Sequence, residues 1–81
     1  MEKTDKTKRL RVELGELIRH YRLKLKLSQE ILAEKADIHR TYVSDIELGK
    51  VDISITVAYK LAKALNLSFS RLVKEAEEKI N

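Results

Sequence analysis

The chain has 81 residues, a net charge of +4, 43% hydrophobic residues, two glycines, and neither cysteine nor proline. That leaves room for one small domain, and it excludes disulfides and thiolate metal sites while favouring helix throughout. No stretch reaches the roughly 18 apolar residues a membrane span needs, and MEKTDKTKRLRVEL lacks the apolar run of a signal peptide, so a soluble cytoplasmic protein is expected. The charge is uneven: up to Lys26 nine basic residues face four acidic ones, a balance of +5, and the remainder is slightly acidic. A basic segment suits a polyanion, and equally the solvated face of a helix.

In chain order, residues 1–6 are expected as a flexible basic arm, with Lys3, Lys6, Lys8 and Arg9 available to a phosphate backbone. Leu10, Leu14, Leu17, Ile18, Tyr21 and Leu25 recur at steps of three and four, which predicts a first helix from about Thr7 to Lys24. Ser28 caps a second, short helix whose inner face is Leu32, Ala33 and Ala36. Asp37 suits a left-handed turn, after which a third helix opens at Ile38 or His39 and runs through Leu48, anchored by Val43 and Ile46. Gly49 stops it.

Ser54 caps a fourth helix with Ile55, Ala58, Leu61, Ala62 and Leu65 as its buried edge, and Asn66 ends it in the role glycine usually fills. Ser68 caps a fifth helix with Phe69, Leu72, Val73, Ala76 and Ile80 on one side. The expected fold is all-α, five short helices around one core in a single domain of residues 1–81, in which residues 54–80 serve core and dimerisation. Phe69, Leu72, Val73, Ala76 and Ile80 exceed what one edge of so small a core covers, so the last helix is expected both to pack on the core and, with the fourth, to form a dimer interface through Phe69, Leu72, Val73 and Ala76.

Two helices joined by a turn of three or four residues, the first ending in small alanines, form a helix-turn-helix, here residues 28–48. The major groove of DNA accepts one helix, and the residues at that helix's N-terminal end reach the base edges. His39, Arg40, Thr41 and Tyr42 fall where such contacts originate; His39, Arg40, Thr41 and Ser44 share an outward arc while Val43 and Ile46 face the core.

From LGELIRHYR through LSQEILAEKADIHRTYVSDIELGK to LAKALNLSFSRL, that is Leu14 to Leu72, the chain resembles the phage-repressor-like (XRE, Cro-type) helix-turn-helix family. Its short length, the segment RTYVSDIE and one helix added after the repressor-like core are also similar to the controller proteins of restriction-modification systems. The resemblance implies a five-helix repressor-like DNA-binding domain acting as a homodimer on a pseudo-palindromic operator in double-stranded DNA. Among controllers, it further implies two dimers on adjacent sites, activating at low occupancy and repressing at high occupancy.

The same resemblance assigns roles. Arg40, Thr41 and Ser44 would contact bases, with Arg40 the first choice because a guanidinium bonds guanine O6 and N7 bidentately. Ser28, Gln29, His39, Tyr42 and Lys50 would contact the DNA backbone, Gln29 also bracing the recognition helix. Arg22 and Glu47 match a family ion pair between the first and third helices.

Departures from the family pattern are Lys26 and Asp37 at positions where glycine is common, Ile53 in place of a loop proline, and Leu48 in place of a polar residue. The segment from Ser28 to Ser54 carries three basic residues against six acidic ones, a balance of −3. Neither His20 nor His39 has a partner at metal-ligand spacing, and no nucleophile with a base is legible, so no enzyme, no metal, no cofactor and no small-molecule ligand are expected. The alternative reading is an antitoxin or anti-regulator that works by protein binding through the apolar last helix with Ile31 and Leu48.

Overall fold

The computed structural model describes residues 2–81, with side chains from Lys6 onward. Five helices follow one another: α1 (Glu2–Lys24), α2 (Gln29–Ala36), α3 (Arg40–Glu47), α4 (Ile55–Ala64) and α5 (Phe69–Ile80). No strand occurs among the described residues.

Serine sets three of the helix starts. Ser28, Ser54 and Ser68 each hold extended backbone, and their hydroxyls accept from the amides of Ile31 at 3.0 Å, Val57 at 3.1 Å and Arg71 at 3.2 Å. Such a cap contributes about 1 kcal/mol, a useful share of the stability of so small a protein. The stops are left-handed residues: Lys26 (φ 60°), Asp37 (φ 57°), Asn66 (φ 61°) and Gly49 (φ 71°). Lys26 and Asp37 therefore adopt glycine's conformation without being glycine.

Ile18, Leu32, Val43, Ile46, Leu61 and Leu72 are fully buried and bring all five helices to one core. Each such side chain contributes about 1.5–3 kcal/mol by leaving water. α1 packs against α3 and α5, α2 packs against α3 and α4, and α4 packs against α5. Gly15 sets the α1–α3 distance, because a Cβ there would lie 2.1 Å from the Ile46 carbonyl oxygen. The two backbones touch at that point, which fixes α3 on the rest of the protein.

Three expectations change. α1 starts at Glu2 rather than near Thr7, so residues 2–6 continue a helix instead of forming a flexible arm; the Lys3 side chain lies outside the described ones. Of the added residues, Lys6 has something to pack on: it meets Thr7, Leu10 and Ile80 around one apolar hollow, and one turn further the Arg9 guanidinium donates to the Lys79 carbonyl at 3.3 Å.

The second correction concerns α5. Leu72 and Ala76, assigned to a dimer interface, are buried inside the protomer, because α1 lies along α5 and covers that face. Phe69 is half-buried against the core, and only Val73 of the four stays exposed. Third, α3 is shorter than expected, by one or two residues at its start and one at its end, with His39 and Leu48 as its flanking caps.

Candidate nucleic-acid interface

The outer edge of α3 is polar because its inner edge is spent. Val43, Ile46 and Glu47 are buried, and Tyr42 packs half-buried against the core. Arg40, Thr41, Ser44 and Leu48 lie on the opposite arc, Arg40, Thr41 and Leu48 exposed and Ser44 half-buried. Among the described residues, Arg40, Thr41 and Ser44 form no side-chain hydrogen bond within the protomer. Their donors and acceptors stay available.

His39, Gln29, Ser28 and Lys50 surround that edge. His39 is the exposed N-cap of α3 and, unlike the three cap serines, makes no side-chain cap bond. Ser28 spends its hydroxyl on the cap of α2, which leaves less of it for a phosphate. Lys50 is exposed in the loop after Gly49. Asp45 is half-buried on the flank of the same helix.

Behind the edge is a buried charge network. Arg22 Nε donates to Glu47 Oε2 at 2.6 Å and Arg22 Nη2 to Glu47 Oε1 at 3.0 Å, a bidentate pair between α1 and α3. Arg22 Nη1 also donates to the Leu27 carbonyl at 2.8 Å, and Gln29 Nε2 donates to Glu47 Oε1 at 3.0 Å. The hydrogen bonds to Glu47 push the Arg22 pKa further up against the opposing effect of burial, so the guanidinium stays charged. Gln29 thus joins the first residue of α2 to the last of α3. Its amide nitrogen keeps one further N–H to offer outward.

A second polar cluster links α1 to α5. The Tyr21 hydroxyl donates to Glu75 Oε1 at 2.6 Å, and Arg71 Nε donates to Glu75 Oε2 at 2.8 Å. Those two bonds, Tyr21's first, hold the Glu75 carboxyl below the usual carboxylate range, and Tyr21 is raised in turn by the same bond. The Arg71–Glu75 pair has the four-residue spacing of an ion pair along one helix face. Tyr21's partner, fifty-four residues away, was not legible.

The positions that sequence reasoning missed lie on α1. Arg11 Nη1 contacts Asp52 Oδ1 of the α3–α4 loop at 3.3 Å, and Val12 packs on Gly49. A glycine inside a helix costs about 0.5–1 kcal/mol relative to alanine, so Gly15 was the available sign of a close approach.

Comparison with known proteins decides the family. A helix-turn-helix family model matches residues 18–72, most of the chain and all of α2 to α4. The chain belongs to the helix-turn-helix family. It is 44% identical over 62 residues to the control protein C.BamHI of Bacillus amyloliquefaciens, covering 75% of this chain and 76% of that protein. Its fold matches the restriction-modification controller protein C.AhdI from Aeromonas hydrophila with a TM-score of 0.73 at 36% identity, over 75% of this chain and 92% of that one.

It also matches the controller protein C.Esp1396I, solved as a tetramer in complex with its natural 35 base-pair operator, with a TM-score of 0.79 at 28% identity, over 88% of this chain and 93% of that one. Membership makes this chain a DNA-binding transcription regulator of the repressor-like, XRE type and not an enzyme. The relatives do not favour the antitoxin or anti-regulator alternative. No helix among the described residues is long and apolar enough to cross a membrane.

Proposed function

We propose that the protein is a cytoplasmic controller-type regulator that binds a pseudo-palindromic operator as a homodimer, placing α3 of each protomer in successive major grooves about 34 Å apart. Arg40, Thr41 and Ser44 read base edges, and Gln29, His39, Tyr42 and Lys50 position the helix against phosphates, with Ser28 restricted to a minor part. The observation that carries this reading is the unspent polar edge of α3, held outward by a buried bidentate pair and a helix-to-helix backbone contact. The operator-bound tetramer of C.Esp1396I supports the further step that two dimers occupy adjacent sites.

Within the α4–α5 region expected for dimerisation, the dimer contact lies on the outer seam of the two helices and not on the inner face of α5. Ile55 is 72% exposed, Tyr59 51% and Val73 41%, large values for apolar side chains. Tyr59 meets Phe69 with ring centroids 6.3 Å apart, while Ile55 precedes Tyr59 and Phe69 precedes Val73 by one helical turn, so the four form one strip. Burying such a strip in an isologous contact gives the two-fold symmetry that a palindrome requires. Sedimentation of the wild type and of Tyr59→Glu, paired with titration of an operator duplex, tests this. A dimer that Tyr59→Glu dissociates, with operator affinity lost in step, is the expected result, and a wild-type monomer that binds DNA equally well would overturn it.

A further inference from the structure

We propose that Arg11, with Lys8, is a further DNA-binding residue: it takes a phosphodiester oxygen of the operator backbone at the α3–α4 loop, in exchange for the Asp52 carboxylate. The proposal rests on the operator-binding reading and adds a contact from a helix segment outside the residues the family model matches.

The Arg11 site is incompletely satisfied. Its Nε is buried and has no hydrogen-bond partner among the described residues, although a buried cationic donor without an acceptor is costly. Its ion-pair partner among the described residues is weak: Nη1 reaches Asp52 Oδ1 at 3.3 Å, and the Asp52 side chain is 91% exposed, so water and salt screen the pair. Lys8 and Thr7 line the same cleft of about 260 Å³, which has room for a phosphate group and a second cation beside it. Asp52 is an oxygen anion where a phosphate oxygen would sit.

Position and charge agree with that exchange. Asp52 lies two residues after Lys50 in the loop that leaves α3, and α1 is pinned to this loop and to α3 through Val12 against Gly49 and Gly15 against the Ile46 carbonyl. Lys8 and Arg11 therefore sit on a rigid helix at a fixed offset from the recognition edge. Residues 28–54 alone carry a balance of −3, so phosphate binding draws on cations from elsewhere in the chain. These two are fixed beside the loop.

The test compares Arg11→Ala with Asp52→Asn, because both break the same ion pair. Binding of a duplex selected by the wild type is measured by fluorescence anisotropy across a salt series from about 50 to 300 mM. If Arg11 holds a phosphate, Arg11→Ala weakens binding about tenfold and flattens the salt slope by about 1, and Asp52→Asn tightens binding about two- to fivefold. If the pair only shapes the loop, both variants weaken binding in parallel with the slope unchanged, and the proposal fails. Asp52→Asn removes neither a cation nor packing, so it decides the matter even where Arg11→Ala folds poorly.

A second arm separates the source of the phosphate. Inorganic phosphate titrated into the protein without DNA, read at the Arg11 Nε–H resonance, is expected to saturate weakly or not at all. Tight saturation combined with an unchanged DNA salt slope in Arg11→Ala would assign the site to a free anion and overturn the proposal. Failure of the wild type to select any duplex is the distinct result that would overturn the operator reading and this inference together.

Discussion

The α2–α3 unit and the α1–α5 pair are built from similar residues and end in opposite states. On α5, Arg71 and Glu75 are spent on each other and on Tyr21, and Arg9 of α1 is spent on the end of α5. On α3, Arg40, Thr41 and Ser44 are turned outward by the burial of Val43, Ile46 and Glu47, and they keep their hydrogen-bonding capacity. What distinguishes the proposed reading surface from the scaffold here is therefore satisfaction and not composition. A polar side chain already paired within the protomer has little left for a partner.

The largest effect is expected where the two regions join. Glu47→Ala leaves the Arg22 guanidinium buried without its carboxylate and frees Gln29, and should cost about 3–5 kcal/mol in urea unfolding, several times the worth of a surface pair. A variant that unfolds at the parent's urea midpoint would show that the network is not what fixes α3 on α1.

On the scaffold side, Tyr21→Phe removes the bond to Glu75 and should cost about 1 kcal/mol at neutral pH. Because Glu75 is held below its ordinary value of 4.5, the stabilisation is present above that pH and is lost as pH falls through the lowered folded value. The parent and Tyr21→Phe curves should therefore converge in acid, which pH-dependent melting measures. Divergence in acid would contradict the assignment of Glu75.

Smaller still, Asp37→Gly relieves a left-handed residue in the turn between α2 and α3 and should stabilise by about 0.5–1 kcal/mol, less the entropy glycine adds to the unfolded chain. Arg40→Ala and Thr41→Ala should change stability by no more than about 0.5 kcal/mol, since each is exposed and unpaired within the protomer. Thermal melts that fell steeply for either would place these side chains in the scaffold.

The elements near one another in sequence were the legible ones. Apolar spacing, the three cap serines and the left-handed stops at Asp37, Gly49 and Asn66 announced helix number and turn positions, because each acts over three or four residues. The outward arc of α3 followed from the same periodicity. The pairing of α1 with α5 did not, since it depends on contacts such as Tyr21–Glu75 and Arg9–Lys79, more than fifty residues apart. That pairing is what takes Leu72 and Ala76 out of reach of a second copy. Arg22 and Glu47 were paired in sequence through family likeness, and the part Gln29 plays in their network became visible only with the three helices in place.

The central claim is that the leading edge of α3 reads bases. Selection from a random duplex pool, run in parallel with the wild type and Arg40→Ala, addresses it most directly. The wild type should recover a two-fold symmetric sequence with half-site centres about one helical turn apart, and Arg40→Ala should lose preference at one G·C pair in each half-site, about 1–3 kcal/mol of discrimination. Recovery of the same sequence with undiminished preference by Arg40→Ala would contradict the account.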